Sequence, residues 1–248
     1  MAAHNHPEIL HKSKKWEEYF KEFLMIFLAV TLGFLSENFR EHIANRDKEK
    51  QYIVGFIRNV KEDTVFLHHV IEFDKQLVKG LDSMLELSHL NMVIDSNRKS
   101  FYYFSFRYLL NSSSFRSNDA TLQQLKSTGD FRLIEKDHVT DSLAKYDANI
   151  HDIYKQGDYY QTYFKEILFR LDDLMDMTIL ADFVKNGKIM TKPLPQLRNG
   201  SEKLPTLFNK IFIFRSITTA YAESNLKPQL ENSRSLIAFL KKEYDIQD

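Results

Sequence analysis

Three Glu-x-x-His pairs stand out in this chain: Glu8 with His11, Glu86 with His89, and Glu135 with His138. In a helical bundle, two such pairs and two further carboxylates can hold a di-iron centre, because the i, i+3 spacing places both ligands on one side of a helix. Three pairs exceed chance only mildly. One lies in the N-terminal tail and two at predicted helix edges, whereas a di-metal site projects inward from mid-helix. They therefore read as solvated side chains. His68 and Glu72 are four apart, but His69 follows directly, and a turn of about 100° per residue keeps the two histidines off a common face. The chain contains no H-E-x-x-H zinc helix, no G-x-S-x-G elbow, and neither of the glycine-rich phosphate loops. A Ser/His/Asp triad stays open, since its members can be remote in sequence. No catalytic, cofactor-binding or metal residue is assigned, no cofactor is expected, and the chain does not read as an enzyme.

The elements that would position any site are helices. Among 248 residues there are only 7 Gly and 5 Pro, too few for a tight-turned β fold or a Gly-looped nucleotide fold. With no Cys, disulfides, thiolate metal sites, Cys nucleophiles and a lipoprotein anchor are excluded. Lys plus Arg equal Asp plus Glu at 34 each, which removes the electrostatic reason to expect nucleic acid as a partner.

From Phe23 to Leu35 runs an uncharged stretch, FLMIFLAVTLGFL. As a helix it rises about 20 Å, short of the roughly 30 Å hydrocarbon core of a bilayer. Trp16, Tyr19 and Phe20 before it and Phe39 after it extend the apolar reach to about 36 Å, with Lys21 able to snorkel. This predicts a membrane anchor over 16–39, behind a basic tail at 1–15 in which Lys12, Lys14 and Lys15 precede Trp16 as an interfacial flank. Two alternatives stay open. One is a core helix of a soluble bundle, favoured by Glu17, Glu18 and Glu22; the other is a cleaved signal peptide, disfavoured because Ser36-Glu37-Asn38 offers no small-x-small cleavage site. Lys12, Lys14, Lys15 and Lys21 balance Arg40, Arg46, Lys48 and Lys50, so charge alone does not set the orientation. Ala29 and Gly33 form a weak small-xxx-small pattern.

Residues 40–248 predict a helical bundle. Ile53, Ile57, Val60, Thr64, Leu67, Ile71, Asp74, Val78, Leu81 and Leu85 fall on one alternating four-three seam, with Asp74 the exception. Asn91 to Asn97 marks a turn. A second seam runs Val139, Leu143, Tyr146, Ile150, Ile153, Gly157, Tyr160, Phe164, Ile167, Leu171, Leu174, Thr178 and Ala181, with Gly157 admitting a bend or a close neighbour. Asp172, Asp173 and Asp176 lie off it, on a solvated face. Beyond the loop around Pro193, Pro195, Asn199 and Gly200, Pro205 is placed at the first position of a third helix carrying Leu207, Ile211, Phe214, Thr218 and Tyr221. Pro228 breaks or kinks it, and Leu230, Ile237, Leu240 and Tyr244 resume the pattern. Between the seams lies an aromatic-rich insert at about 98–135. Its run from Phe101 to Leu110 is too dense for one helix face, so burial is expected over a sticky surface. Asn118 or Asp119 caps a short helix at Thr121–Leu125, which Gly129 ends. The fold class is all-α: an N-terminal transmembrane helix and an elongated antiparallel bundle with coiled-coil-like seams.

The layout of basic tail, single apolar helix, Lys48-Glu49-Lys50-Gln51-Tyr52-Ile53, Asn59-Val60-Lys61-Glu62-Asp63 and central Leu122-x-x-Leu125-x-x-x-Gly129-x-x-x-Leu133-Ile134 resembles an uncharacterised bacterial family of membrane-anchored helical proteins. The likeness covers about the first 150 residues, in layout more than in identities. It implies a single-pass inner-membrane anchor with the bulk in the periplasm, and brings no activity or cofactor. The expected role is protein–protein interaction or assembly in the cell envelope, with the lipid bilayer and a protein partner or a second copy as partners. Two alternatives are an extracytoplasmic sensor binding a small ligand near Phe101–Tyr108 and a metal-dependent bundle enzyme.

Overall fold

The computed structural model describes residues 15–247, apart from the side chain of Ser201. Helices dominate, and no strand occurs among the described residues. The chain divides into two compact units, 1–51 and 52–248.

Among the described residues, the first unit is the beginning of α1 (Trp16–Glu86). Its apolar side chains are exposed in unbroken succession: Phe23, Leu24, Met25, Ile26, Phe27 and Leu28 are all open, and Trp16 is 82% exposed. Apolar residues at consecutive positions cover every side of a helix, so no single face can bury them. α1 is long and apolar enough in this part to cross a membrane, and none of its apolar window is buried. Glu37 and Arg40 pair on the surface just beyond it.

The second unit begins at Tyr52, where α1 becomes periodic. Ile53, Ile57, Val60, Leu67, Ile71 and Leu81 are buried, with charged residues between them. A short 3-10 turn, Leu87–His89, closes α1; the Asn91 side chain then accepts the Val93 N–H, and α2 (Asp95–Tyr108) starts. α2 carries the dense aromatic run, and the expected burial is found: Phe101, Tyr102, Phe106 and Leu109 are in the core. The Tyr108 ring lies directly over Gly80, where a Cβ would collide with it. Arg98 is buried as a clamp, donating to the carbonyls of Met92, Val93 and Leu194 and pairing with Asp95.

Residues 111–119 form an irregular strap leading to α3 (Ala120–Thr128). The Asn118 side chain accepts the Ala120 N–H, and Gly129, at φ 70°, ends the helix in the left-handed region that glycine tolerates. α4 (Asp137–Leu174) follows. Each second-seam position from Val139 to Leu174 is buried except Gly157, which is half-buried because the Tyr221 hydroxyl approaches it, 3.3 Å from where a Cβ would sit. The seam ends sooner than its pattern predicts. Met175 is extended, the Asp176 carboxylate takes both the N–H and the hydroxyl of Thr178, and α5 (Ile179–Asn186) begins, leaving Thr178 and Ala181 exposed. A local side-chain acceptor has outcompeted continuation of the helix.

α6 (Gly200–Tyr221) starts five residues before Pro205, which lies inside the helix rather than at its first position. With Asn199 at φ 50° as the N-cap residue, the chain has already turned, and a proline this close to the start costs few internal bonds. α6 passes through a π turn, Ala222–Leu226, into α7 (Lys227–Glu243). Pro228 lacks the N–H that Ser224 would receive, and its ring crowds that carbonyl; the wider π turn absorbs the conflict without breaking the helix. Ion pairs tie these elements to α4, joining Asp173 to Lys203, Glu166 to Lys210 and Lys136 to Glu243. Residue numbers thus fall along one partner as they rise along the other.

Candidate functional site

The polar centre of the second unit is built where the strap crosses α1 and α4. Asp63 and Asp74 are eleven residues apart, about three helical turns, so they share the face of α1 that looks into the core. Both are buried, at 2% and 0% exposed. Their surroundings differ. Asp63 accepts the Ser117 hydroxyl, the Asn118 N–H at 2.7 Å and the Tyr146 hydroxyl at 2.5 Å. Asp74 accepts only the Ser113 hydroxyl, at 2.6 Å on Oδ1, and its buried Oδ2 has no hydrogen-bond partner.

The strap is satisfied from both sides. Tyr154 accepts the Ser117 N–H at 2.9 Å, Gln161 donates to the Ser113 carbonyl at 2.6 Å, and the Tyr160 hydroxyl sits 3.4 Å from the Ser113 N–H. Further along, Asn59 accepts the Thr121 N–H and Tyr52 donates to the buried Asp130. A loop without internal ladder bonds can lie against a core only if its backbone groups find such partners.

Burial raises the pKa of both acids by penalising the charged form. For Asp63, three donors oppose that penalty, and the shift stays upward because burial outweighs them. For Asp74, with one donor, burial pushes the carboxyl up to about 7. The Tyr160 and Tyr221 hydroxyls are also raised, first by burial and then by the negative charge Asp74 would carry.

Two cavities flank this centre. One of about 300 Å³ lies between the strap and α4, bordered by Phe115, Arg116, Tyr154, Asp158 and Tyr221. The other, about 320 Å³, lies between α1 and the α6 to α7 junction, bordered by Ile71, Asp74, Val78, Lys79 and Ala222. Tyr221 and Ala222, on opposite sides of the α-to-π transition, contribute to one cavity each. Neither cavity is lined by a histidine.

No family model, curated protein or solved structure matches this chain. The site must be read from its own geometry.

That geometry disperses the residues the spacing singled out. Glu86 and His89 are exposed at the end of α1, and His138 lies at the start of α4, where its Nε2 is 3.0 Å from Glu243. Among the described residues, no three of His, Asp and Glu gather as metal ligands. Glu8 with His11, and Lys12 and Lys14 of the tail, lie outside the described residues. His68, His69 and Glu72 are exposed on α1, and Asp172 and Asp173 are exposed on α4. Neither cavity is lined by the aromatic segment Phe101–Tyr108. Sequence reasoning marked Asp74 as the odd member of its seam but missed that the seam stays buried there. It missed Asp63, the strap, and the placing of Arg116 and Asp158 on one cavity, because these depend on segments about 40 to 80 residues apart meeting.

Proposed function

We propose that this chain is a single-pass, membrane-anchored helical module that acts by binding a protein partner or a second copy of itself in the bacterial cell envelope. The observation that carries the reading is the continuous exposure of the apolar side chains from Phe23 to Leu35. Isolated soluble domains rarely leave so large an apolar surface open, and a bilayer is the solvent that accepts it. Trp16, 82% exposed, and Phe39, 68% exposed, stand where interfacial aromatics would. The inner-membrane location, and the placement of 52–248 in the periplasm, rest on the resemblance of the chain's layout to that of bacterial membrane-anchored helical proteins.

In this reading the bulk outside the membrane is an antiparallel bundle with coiled-coil-like seams. Supporting it are the four-three spacing of the buried positions in α1, α4 and α6, and the reversed order of the ion pairs between α4 and the α6 to α7 segment. Protease treatment of intact spheroplasts carrying a C-terminal tag tests the placement. Digestion of the tag before lysis is expected; a tag protected until lysis would overturn the extracytoplasmic arrangement.

A further inference from the structure

We infer that the cavity between the strap and α4 is a binding site for a small zwitterion, a molecule carrying one carboxylate and one ammonium group in the manner of a free amino acid. Arg116 on the strap and Asp158 on α4 both border this cavity, and both are exposed. Neither side chain forms an ion pair with any described residue, although they carry opposite charges on one cavity wall. Glu166 and Asp173, further along α4, are by contrast paired with Lys210 and Lys203 of α6.

A pure anion would be drawn to Arg116 and repelled by Asp158, and a pure cation would meet the reverse. A ligand with both charges satisfies both residues at once. Tyr154 and Tyr221 border the same cavity. These rings can cover an apolar side chain or face an ammonium group. The Tyr221 hydroxyl, drawn in against Gly157, makes no hydrogen bond to any described residue, and Gln161 borders the same space. A volume of about 300 Å³ is at the small end for ligand pockets, which suits a molecule of amino-acid size. This site stands independently of the membrane reading.

The test is a thermal-shift and calorimetric titration of the detergent-solubilised full chain with glycine, L-leucine and L-phenylalanine. Phenethylamine and N-acetyl-L-phenylalanine, each lacking one charge, serve as comparators. Saturable binding of at least one zwitterion is expected, with neither single-charge compound competing. Arg116→Gln and Asp158→Asn should each weaken binding about ten-fold or more. Because both side chains are exposed, the ligand-free melting temperature should not move, so loss of binding is separable from loss of fold. Absence of binding by all three amino acids up to about 10 mM would overturn the inference, given that weak specific sites still register near millimolar. Binding that survives both substitutions, or is matched by either single-charge compound, would overturn it as well.

Discussion

Between Trp16 and Phe39, α1 holds its large apolar side chains open on every side, whereas between Tyr52 and Glu86 the same helix buries them at every third or fourth position. The two stretches have similar backbone and opposite solvation. The later one is solvated by the protein's own α4, α6 and strap, through contacts such as Phe56 with Tyr146 and Asp82 with Arg215. The earlier one leaves its apolar surface exposed. Helix formation alone therefore says little about where a helix belongs; the period of its apolar residues says more.

The largest expected effect separates the two stretches outright. Ile167 is fully buried, so Ile167→Asp places a charge in the core and should cost about 4 kcal/mol or more, abolishing cooperative urea unfolding while leaving membrane retention intact. Ile26→Asp, in the exposed stretch, should do the reverse, weakening retention with the bundle's unfolding midpoint unchanged.

Asp74 supplies the next largest. Its carboxyl sits at about 7 in the folded protein, against roughly 3.9 when unfolded, so the folded state holds the extra proton between those values. Stability from this group is fully present below about pH 4 and is lost as pH rises through 7. Asp74→Asn should remove that fall and leave the variant more stable than the parent at pH 8 by about 2–4 kcal/mol. Denaturation midpoints measured from pH 4 to pH 8 check this; parallel profiles for the two proteins would contradict it.

A pair of glycines sharpens the contrast within α1. Gly80→Ala drives a methyl group into the Tyr108 ring and should destabilise by about 1–3 kcal/mol, seen as a lower melting temperature. Gly33 has nothing within 4 Å, so Gly33→Ala should leave the melting temperature unchanged or slightly higher. The smallest effect belongs to the surface. Asp173→Asn breaks an ion pair with Lys203 whose carboxylate is 65% exposed, and should shift stability by no more than about 0.5 kcal/mol in the same unfolding measurement.

Much of the fold was legible because it is written in local periodicity. The positions from Val139 to Leu174, the αL stop at Gly129 and the burial of Phe101 and Phe106 follow from spacing and from side-chain type. The misjudged elements turned on competition that spacing does not record. Asp176 captures Thr178 and ends α4 early, while the π turn carries the chain past Pro228. The candidate site was the least legible. Asp74 could be flagged as an apolar-seam exception, but its single partner, Ser113, comes from the strap, and Arg116 and Asp158 border one cavity only because the strap folds back against α4.

Alkaline extraction of membranes from cells making the full chain tests the central claim most directly. Integral anchoring through 16–39 predicts that the protein stays in the washed membrane pellet. Release into the supernatant would contradict the anchor and require a protein surface, not lipid, to cover Phe23 to Leu35.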